Sequence, residues 1–316
     1  MTGRRVVITQ RIHDEIEVLL SEHAELTVNR TSEPWEPVVL LKHAREADAL
    51  MVFMPDSFDA AFIDQCPNLK IVAAALKGFD NFDVEACRSR NVWFTIVPEL
   101  LTEPTAELAL TLLLGLSRHV LPGDRHVRSG NFRGWRPTLY GQGLSGATVG
   151  LIGYGSVGHA FERLISGFRC RVVWCDVKPG GESMEAVAAQ SDFVLPLLPL
   201  TAKTTHLINR EFLSRMKPGA FLINVGRGSL VDEEAVCEVL ETGKLAGYAA
   251  DVFEMEDWAR SERPRTISKR LLELPDRTLF TPHLGSATRT ARIEIERRAA
   301  QNIIDALAGA KPRDAI

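Results

Sequence analysis

The sequence predicts an α/β protein built on doubly wound parallel sheets, and three observations carry that expectation. Short apolar runs alternate with helical patterns along nearly all of the 316 residues. One such run ends in a glycine fingerprint, at the point where a strand should turn into a helix. The strongest apolar run, residues 108–116, is bounded by Glu107 and Arg118 and is far too short to cross a bilayer.

The first hundred residues read as a small βα domain without a glycine fingerprint after its first strand. Strands are expected at 5–9, 26–29, 49–53, 71–74 and 93–95, with helices at 13–22, 38–45 and 59–65. Cys66-Pro67 stops the last of these helices. From Thr102 the pattern changes. Thr102 caps a long apolar helix with Pro104 in its first turn, running to about His119, of the kind that links domains or packs on a partner. Residues 131–143, rich in glycine and aromatic side chains, read as a loop. Further strands follow at 148–152, 171–174, 193–195, 220–224, 246–251 and 279–280, a helix at 232–242, and a closing amphipathic helix at 289–307.

The fingerprint is A-T-V-G-L-I-G-Y-G-S-V-G, residues 147–158. Gly153 allows the tight turn, Gly155 lets backbone approach a pyrophosphate, and Gly158 lets the next helix sit against the sheet. That helix (about 157–168) has its first N–H groups facing the phosphates, with Ser156 and Val157 among the expected cofactor contacts. Glycines also mark ordinary turns, so context decides. A second strand ends before Asp176, 21 residues after Gly155, where a carboxylate should meet the ribose hydroxyls and repel a 2′-phosphate. The expected cofactor is NAD.

Composition narrows the class. A net charge of −4 gives no electrostatic footprint for nucleic acid, and 45% apolar with 25% charged residues is ordinary for a soluble globular chain. Five scattered cysteines without a C-x-x-C read as reduced thiols, not a metal site, and no signal-peptide core is visible. The expectation is a cytoplasmic protein with no membrane or metal partner.

Three polar residues stand just past predicted strands, where open α/β sheets bind ligands. Arg227 lies in N-V-G-R-G-S, Glu256 in D-V-F-E-M-E-D and His283 in T-P-H-L-G-S. A lone loop histidine is more often structural than chemical. Together the three supply an anion clamp, a carboxylate to orient an imidazole, and a general acid/base.

The order G-Y-G-S-V-G, S-D-F-V-L-P-L-L-P-L-T-A-K-T, N-V-G-R-G-S-L-V-D, T-P-H-L-G-S resembles the D-2-hydroxyacid dehydrogenase superfamily over nearly the whole chain. Within it, A-L-K-G-F-D-N-F-D-V, V-F-M-P-D, A-A-D-V-F-E-M-E-D-W-A-R and A-R-I-E-I-E-R-R-A-A-Q-N-I-I resemble the phosphonate (phosphite) dehydrogenases. That resemblance implies two Rossmann-like domains: a substrate domain at 1–100, an NAD-binding domain with its interdomain helix at 101–283, and a segment at 284–316 that completes the smaller domain. It implies NAD-linked oxidation of phosphite to phosphate, with water as co-substrate, in a homodimer. It assigns His283, Glu256 and Arg227 to catalysis. Lys77, Gly78, Met54, Arg292, Trp135, Tyr140 and Ser286 line the substrate pocket. Pro199, Thr204, Val225, Gly226, Asp251 and Gly285 join the glycine loop, Asp176, Arg227, His283 and Ser286 around the cofactor. Lys77, Arg227 and Arg292 together offer the close positive charge a small dianion needs.

Two features depart from the family pattern. The stretch 176–193 is short, as if a strand and some adenine-side cover were missing, and Pro196 interrupts a central strand. The competing expectation is a dehydrogenase for a carbon substrate, such as glyoxylate, hydroxypyruvate or another 2-keto acid, with the same fold, cofactor and catalytic trio. A third is a nucleotide-sensing binding protein without turnover.

Overall fold

The computed structural model describes residues 3–316 and divides them into two units. The first holds residues up to 101, 258–261 and 287–316; the second holds 102–257 and 262–286.

In the first unit five strands, β1 (Arg5–Ile8), β2 (Glu25–Val28), β3 (Ala49–Val52), β4 (Ile71–Ala74) and β5 (Trp93–Thr95), form a parallel sheet in the order β2-β1-β3-β4-β5. Both faces are covered, which is why the inner strands are apolar throughout. Alternation sorts their side chains. Val6, Ile8, Met51, Ile71 and Ala73 join one core with the helices Asp14–Ser21 and Arg289–Leu307. Val7, Leu50, Val52, Val72 and Ala74 join the opposite core with Ile63, Cys87 and Phe94. The closing helix thus belongs to this unit through Ile295, Ala299, Ile303 and Leu307. Residues 258–261 also group here, an excursion that no periodicity announces.

The second unit begins with the apolar helix Thr102–Ser117, of which Thr102 is the first residue and not the cap. A further helix, Val120–Arg128, follows; its sequence is polar enough to hide it from apolar periodicity, and His119 between the two takes φ 53°. Six strands, β6 (Thr148–Ile152), β7 (Arg171–Cys175), β8 (Phe193–Pro196), β9 (Ala220–Asn224), β10 (Leu245–Ala250) and β11 (Thr278–Phe280), form a parallel sheet in the order β11-β10-β9-β8-β6-β7. Strand order reverses at β6, with β7 on one side and β8 on the other, which is the topological switch point where such sheets bind ligands. Helices Thr102–Ser117 and Ser156–Ile165 cover one face through Ala109, Leu113, Ala160 and Phe161. Residues around Val187, Phe212 and Val236 cover the other.

Pro196 does not break the sheet. It is the last residue of β8, it sits opposite Ile152 of β6, and the ladder continues through Leu197 N–H to Ile152 O at 2.7 Å. The pairing of β8 with β9 has already ended at Val194, so no partner there needs its missing N–H. The short stretch after Asp176 runs through a turn into the helix Met184–Gln190 and directly to β8.

Candidate active site

Six strand ends of the second unit converge on chemistry. At the end of β6, Gly153 has φ +99°, and a Cβ there would lie 2.8 Å from Leu197 O, so a side chain fails on conformation and on space. A Cβ on Gly155 would meet nothing within 4 Å, which leaves the room a pyrophosphate needs at the start of the helix Ser156–Ile165. A Cβ on Gly158 would lie 3.1 Å from Gly153 O, the close helix approach that the third glycine permits.

Asp176 follows β7. Its two carboxylate oxygens accept the N–H groups of Tyr154 at 2.7 Å and Lys178 at 3.0 Å. These bonds hold its pKa below the usual carboxylate value. The acid is therefore ionised, tied to the glycine loop, and still has lone pairs for ribose hydroxyls. Tyr154 stacks on Trp174 with ring centroids 4.4 Å apart and planes 9° apart. After β8, the Thr204 hydroxyl donates to Pro199 O at 2.7 Å and accepts from Thr201 N–H at 2.8 Å, closing a tight loop.

After β9, Asn224 shapes the arginine turn. Its side chain donates to Arg227 O at 2.9 Å and accepts from Gly226 N–H at 3.1 Å. Val225 is buried, and Arg227 is half-buried with a guanidinium N–H on Gly226 O at 3.1 Å. After β10 comes Asp251, whose carboxylate is engaged by the loop after β11. It accepts from the Thr281 hydroxyl at 2.5 Å and from the N–H groups of Leu284 and Gly285 at 2.7 and 2.8 Å. That loop carries His283 at φ +54°, with its N–H on Asp251 O at 2.9 Å. Asp251 thus holds the histidine loop in a conformation a non-glycine residue rarely adopts. Ser286 follows, partly buried.

The central contact is the pair of His283 Nδ1 and Glu256 Oε2 at 2.7 Å. The other oxygen of Glu256 accepts Phe253 N–H at 2.7 Å, which fixes the carboxylate. A carboxylate only accepts, so Nδ1 carries the hydrogen and Nε2 remains for other chemistry. The side chains are 30% and 23% exposed, enough to meet a small molecule.

The remaining predicted residues divide. Lys77, just after β4, is half-buried, and desolvation lowers its pKa; it makes no ion pair with an acid among the described residues. Gly78 follows it, and Met54 packs partly buried beside Val52 and Phe58. Arg292 lies over the Phe53 ring at 5.7 Å and approaches Glu296 at 3.7 Å. Trp135 and Tyr140 are 76% and 73% exposed on residues 131–143, outside any core. Sequence reading missed Asn224 and the buried carboxylates Glu233, Glu254 and Asp257. Acids inside an otherwise helical or loop pattern carry no mark of burial.

A family model described as "D-isomer specific 2-hydroxyacid dehydrogenase, NAD binding domain" matches residues 110–285. The chain is similar to the glyoxylate reductase of Thermococcus onnurineus (strain NA1), 36% identical over 95% of this chain and 92% of that protein. Among solved structures it is similar to the TT0316 protein of Thermus thermophilus, at TM-score 0.90, 36% identity and 99% coverage of both chains. It is also similar to an NADPH-dependent glyoxylate/hydroxypyruvate reductase of Sinorhizobium meliloti, solved with NADP and malonate, at TM-score 0.84, 26% identity, and 100% and 97% coverage.

These findings overturn the phosphite expectation, because the similar proteins are named for glyoxylate and hydroxypyruvate and not for phosphonate. The charge count behind that expectation also fails. Arg292 is not a spare cation: its guanidinium approaches Glu296 on its own helix at 3.7 Å and lies over the Phe53 ring. The surplus of positive charge that would favour a dianion over a single carboxylate is reduced accordingly.

Proposed function

Because the chain belongs to the D-isomer specific 2-hydroxyacid dehydrogenase family, we propose that it interconverts a small 2-keto acid and its 2-hydroxyacid, with glyoxylate as the first substrate to test and hydroxypyruvate the second. The observation that carries the reading is the His283–Glu256 pair, on loops that follow two adjacent strands of the NAD-binding sheet. A bound nicotinamide supplies the hydride. In the reducing direction His283 Nε2 gives its proton to the carbonyl oxygen as the new C–H bond forms, so keto acid, hydride and one proton make the hydroxyacid. Glu256 holds the ring in that tautomer and stabilises the imidazolium before the proton leaves. Arg227, on the turn after β9, clamps the substrate's carboxylate and carbonyl so that the reacting carbon faces the hydride.

Lys77 and Gly78 contribute to carboxylate binding. A half-buried ammonium without an acid partner among the described residues is short of negative charge, and a monoanionic substrate provides it. In this reading Met54, Ser286 and Arg292 are further substrate contacts, each to be tested by substitution. Residues 120–140 expose the apolar side chains Val120, Leu121, Val127, Phe132, Trp135 and Tyr140, and in this reading a second copy covers them in a homodimer. The described residues include no helix long and apolar enough to cross a membrane.

The test is NADH consumption by the purified protein with glyoxylate, hydroxypyruvate and pyruvate in parallel. Turnover of at least one of the three, lost in His283→Ala and Arg227→Ala, is expected. A folded protein that binds NADH and reduces none of them would overturn the proposal.

A further inference from the structure

Behind the arginine turn and the Glu256 turn lies a buried group of carboxylates that the reaction does not use. Glu233 opens the helix Glu233–Glu241, and its carboxylate accepts the N–H of Glu254 at 2.9 Å. Glu254 returns the bond, accepting the N–H of Glu233 at 3.2 Å with one oxygen, and it meets His206 Nε2 at 2.8 Å with the other. Asp257 accepts the N–H of Ser229 at 2.6 Å. All three acids are at most 7% exposed.

These bonds join two short turns. Gly228–Leu230 follows Arg227 directly, and Glu254–Glu256 ends on the carboxylate that holds His283. The turns touch backbone to backbone, since a Cβ on Gly228 would lie 1.9 Å from Phe253 C and 2.3 Å from Glu254 N. On its other side the arginine turn is gripped by His206 N–H on Ser229 O at 2.7 Å and Ile208 N–H on Leu230 O at 2.9 Å. Burying three carboxyl groups in one place is costly even where they are hydrogen-bonded, and an apolar filler often stabilises such a site better. What the acids provide is a fixed distance between the turn that carries Arg227 and the turn that carries Glu256.

We propose that Glu233 is a positioning residue for the reaction: through its reciprocal bonds with Glu254 it fixes the Glu256 turn against the Arg227 turn, and so sets where His283 stands relative to the clamped substrate. The claim rests on the reading that Arg227, Glu256 and His283 act on a 2-keto acid. Burial pushes the Glu233 carboxyl up to about 7, in keeping with a group held for its geometry despite the cost of its charge.

The test compares Glu233→Ala, Glu233→Asp, which is one methylene too short to reach Glu254 N–H, and Glu233→Gln, which keeps an acceptor oxygen. Three quantities are read: kcat and KM for glyoxylate, the NADH dissociation constant by fluorescence, and the low-field proton resonance of His283 Nδ1–H, assigned by its loss in His283→Ala. Glu233→Ala and Glu233→Asp are expected to lower kcat by about tenfold or more and to broaden or shift the resonance, with NADH affinity kept within about twofold. Glu233→Gln is expected to restore kcat to within about threefold of wild type. The proposal is overturned if a folded Glu233→Ala or Glu233→Asp protein keeps wild-type kcat and an unmoved resonance, or if Glu233→Gln is no better than Glu233→Ala. Should the wild type itself reduce no 2-keto acid, the functional reading falls, and the His283 resonance in the variants still decides the positioning claim.

Discussion

The second unit contains two histidine–glutamate pairs of nearly equal length, His283–Glu256 at 2.7 Å and His206–Glu254 at 2.8 Å, on neighbouring glutamates of one turn. They differ in which nitrogen is engaged. His283 uses Nδ1, so the outer nitrogen of the ring is left for substrate; His206 uses Nε2, so its reaching atom is already taken. They differ also in the carboxylate, since Glu254 is buried and shares its bonds with Glu233, while Glu256 is partly open. A third pair, His13–Glu296 at 2.8 Å in the first unit, ties the start of one helix to the side of another. A histidine–carboxylate contact is thus a common fastening. Its position after a strand end, the nitrogen it uses and the access it keeps make one of them a candidate for chemistry.

The largest expected difference follows from that contrast. His283→Ala should lower kcat for 2-keto acid reduction by about a thousandfold with little change in NADH binding, as removal of a general acid does. His206→Ala, made in parallel, should lose about tenfold at most, through the Glu254 turn and not through the chemistry. Equal losses in steady-state kinetics would erase the distinction between the pairs.

Next comes the carboxylate. Glu256→Gln keeps an oxygen to accept Nδ1–H but loses the charge that stabilises the imidazolium, so kcat should fall by roughly ten- to a hundredfold. A Gln variant with wild-type kcat would mean that Glu256 orients the ring and does no more.

The fingerprint acid gives a smaller effect. Asp176 is tied to Tyr154 and Lys178 through backbone N–H groups, so removing it frees the loop as well as the charge. In Asp176→Ala the ratio of efficiency with NADPH to that with NADH should rise by about tenfold. An unmoved ratio would remove Asp176 from cofactor choice.

The sequence made the sheet and the glycine loop legible because both depend on local pattern. β-Branched and leucine-rich runs of four or five residues predicted nearly every strand, and Gly153, Gly155, Gly158 and Asp176 fell where spacing put them. His283 was legible only in company with Arg227 and Glu256, since no single residue type marks a reactive imidazole. What stayed hidden depends on pairing in space. Counting Lys77, Arg227 and Arg292 as equal cations pointed toward a dianion, but a sequence does not reveal that Arg292 has Glu296 beside it on its own helix. The Glu233–Glu254–Asp257 group was invisible for the same reason. Trp135 and Tyr140, whose residue types suggest packing, are exposed because residues 131–143 contribute nothing to either core of the second unit.

The last expected effect, on KM alone, sharpens a second contrast, between two lysines. Lys217 is held by Asp192, with its ammonium on the carboxylate. Lys77 is half-buried with no acid partner among the described residues, and desolvation lowers its pKa from the ordinary lysine value of 10.5. The protonated form is the one that binds a substrate carboxylate. As pH rises toward this lowered pKa the free protein loses the ammonium earlier than an ordinary lysine would, so KM should climb on the alkaline side while kcat holds, because bound carboxylate favours the charged form. Lys77→Ala should raise KM roughly tenfold at neutral pH, the value of one charged contact, and flatten the climb. Lys77→Arg should also flatten it, because a guanidinium keeps its proton across the whole range, while retaining most of the neutral-pH affinity. The check is KM for glyoxylate from neutral to alkaline pH in the three proteins. A wild-type KM that does not rise, or one that rises equally in Lys77→Arg, would assign the alkaline limb to another group and leave Lys77 without a role in binding the substrate.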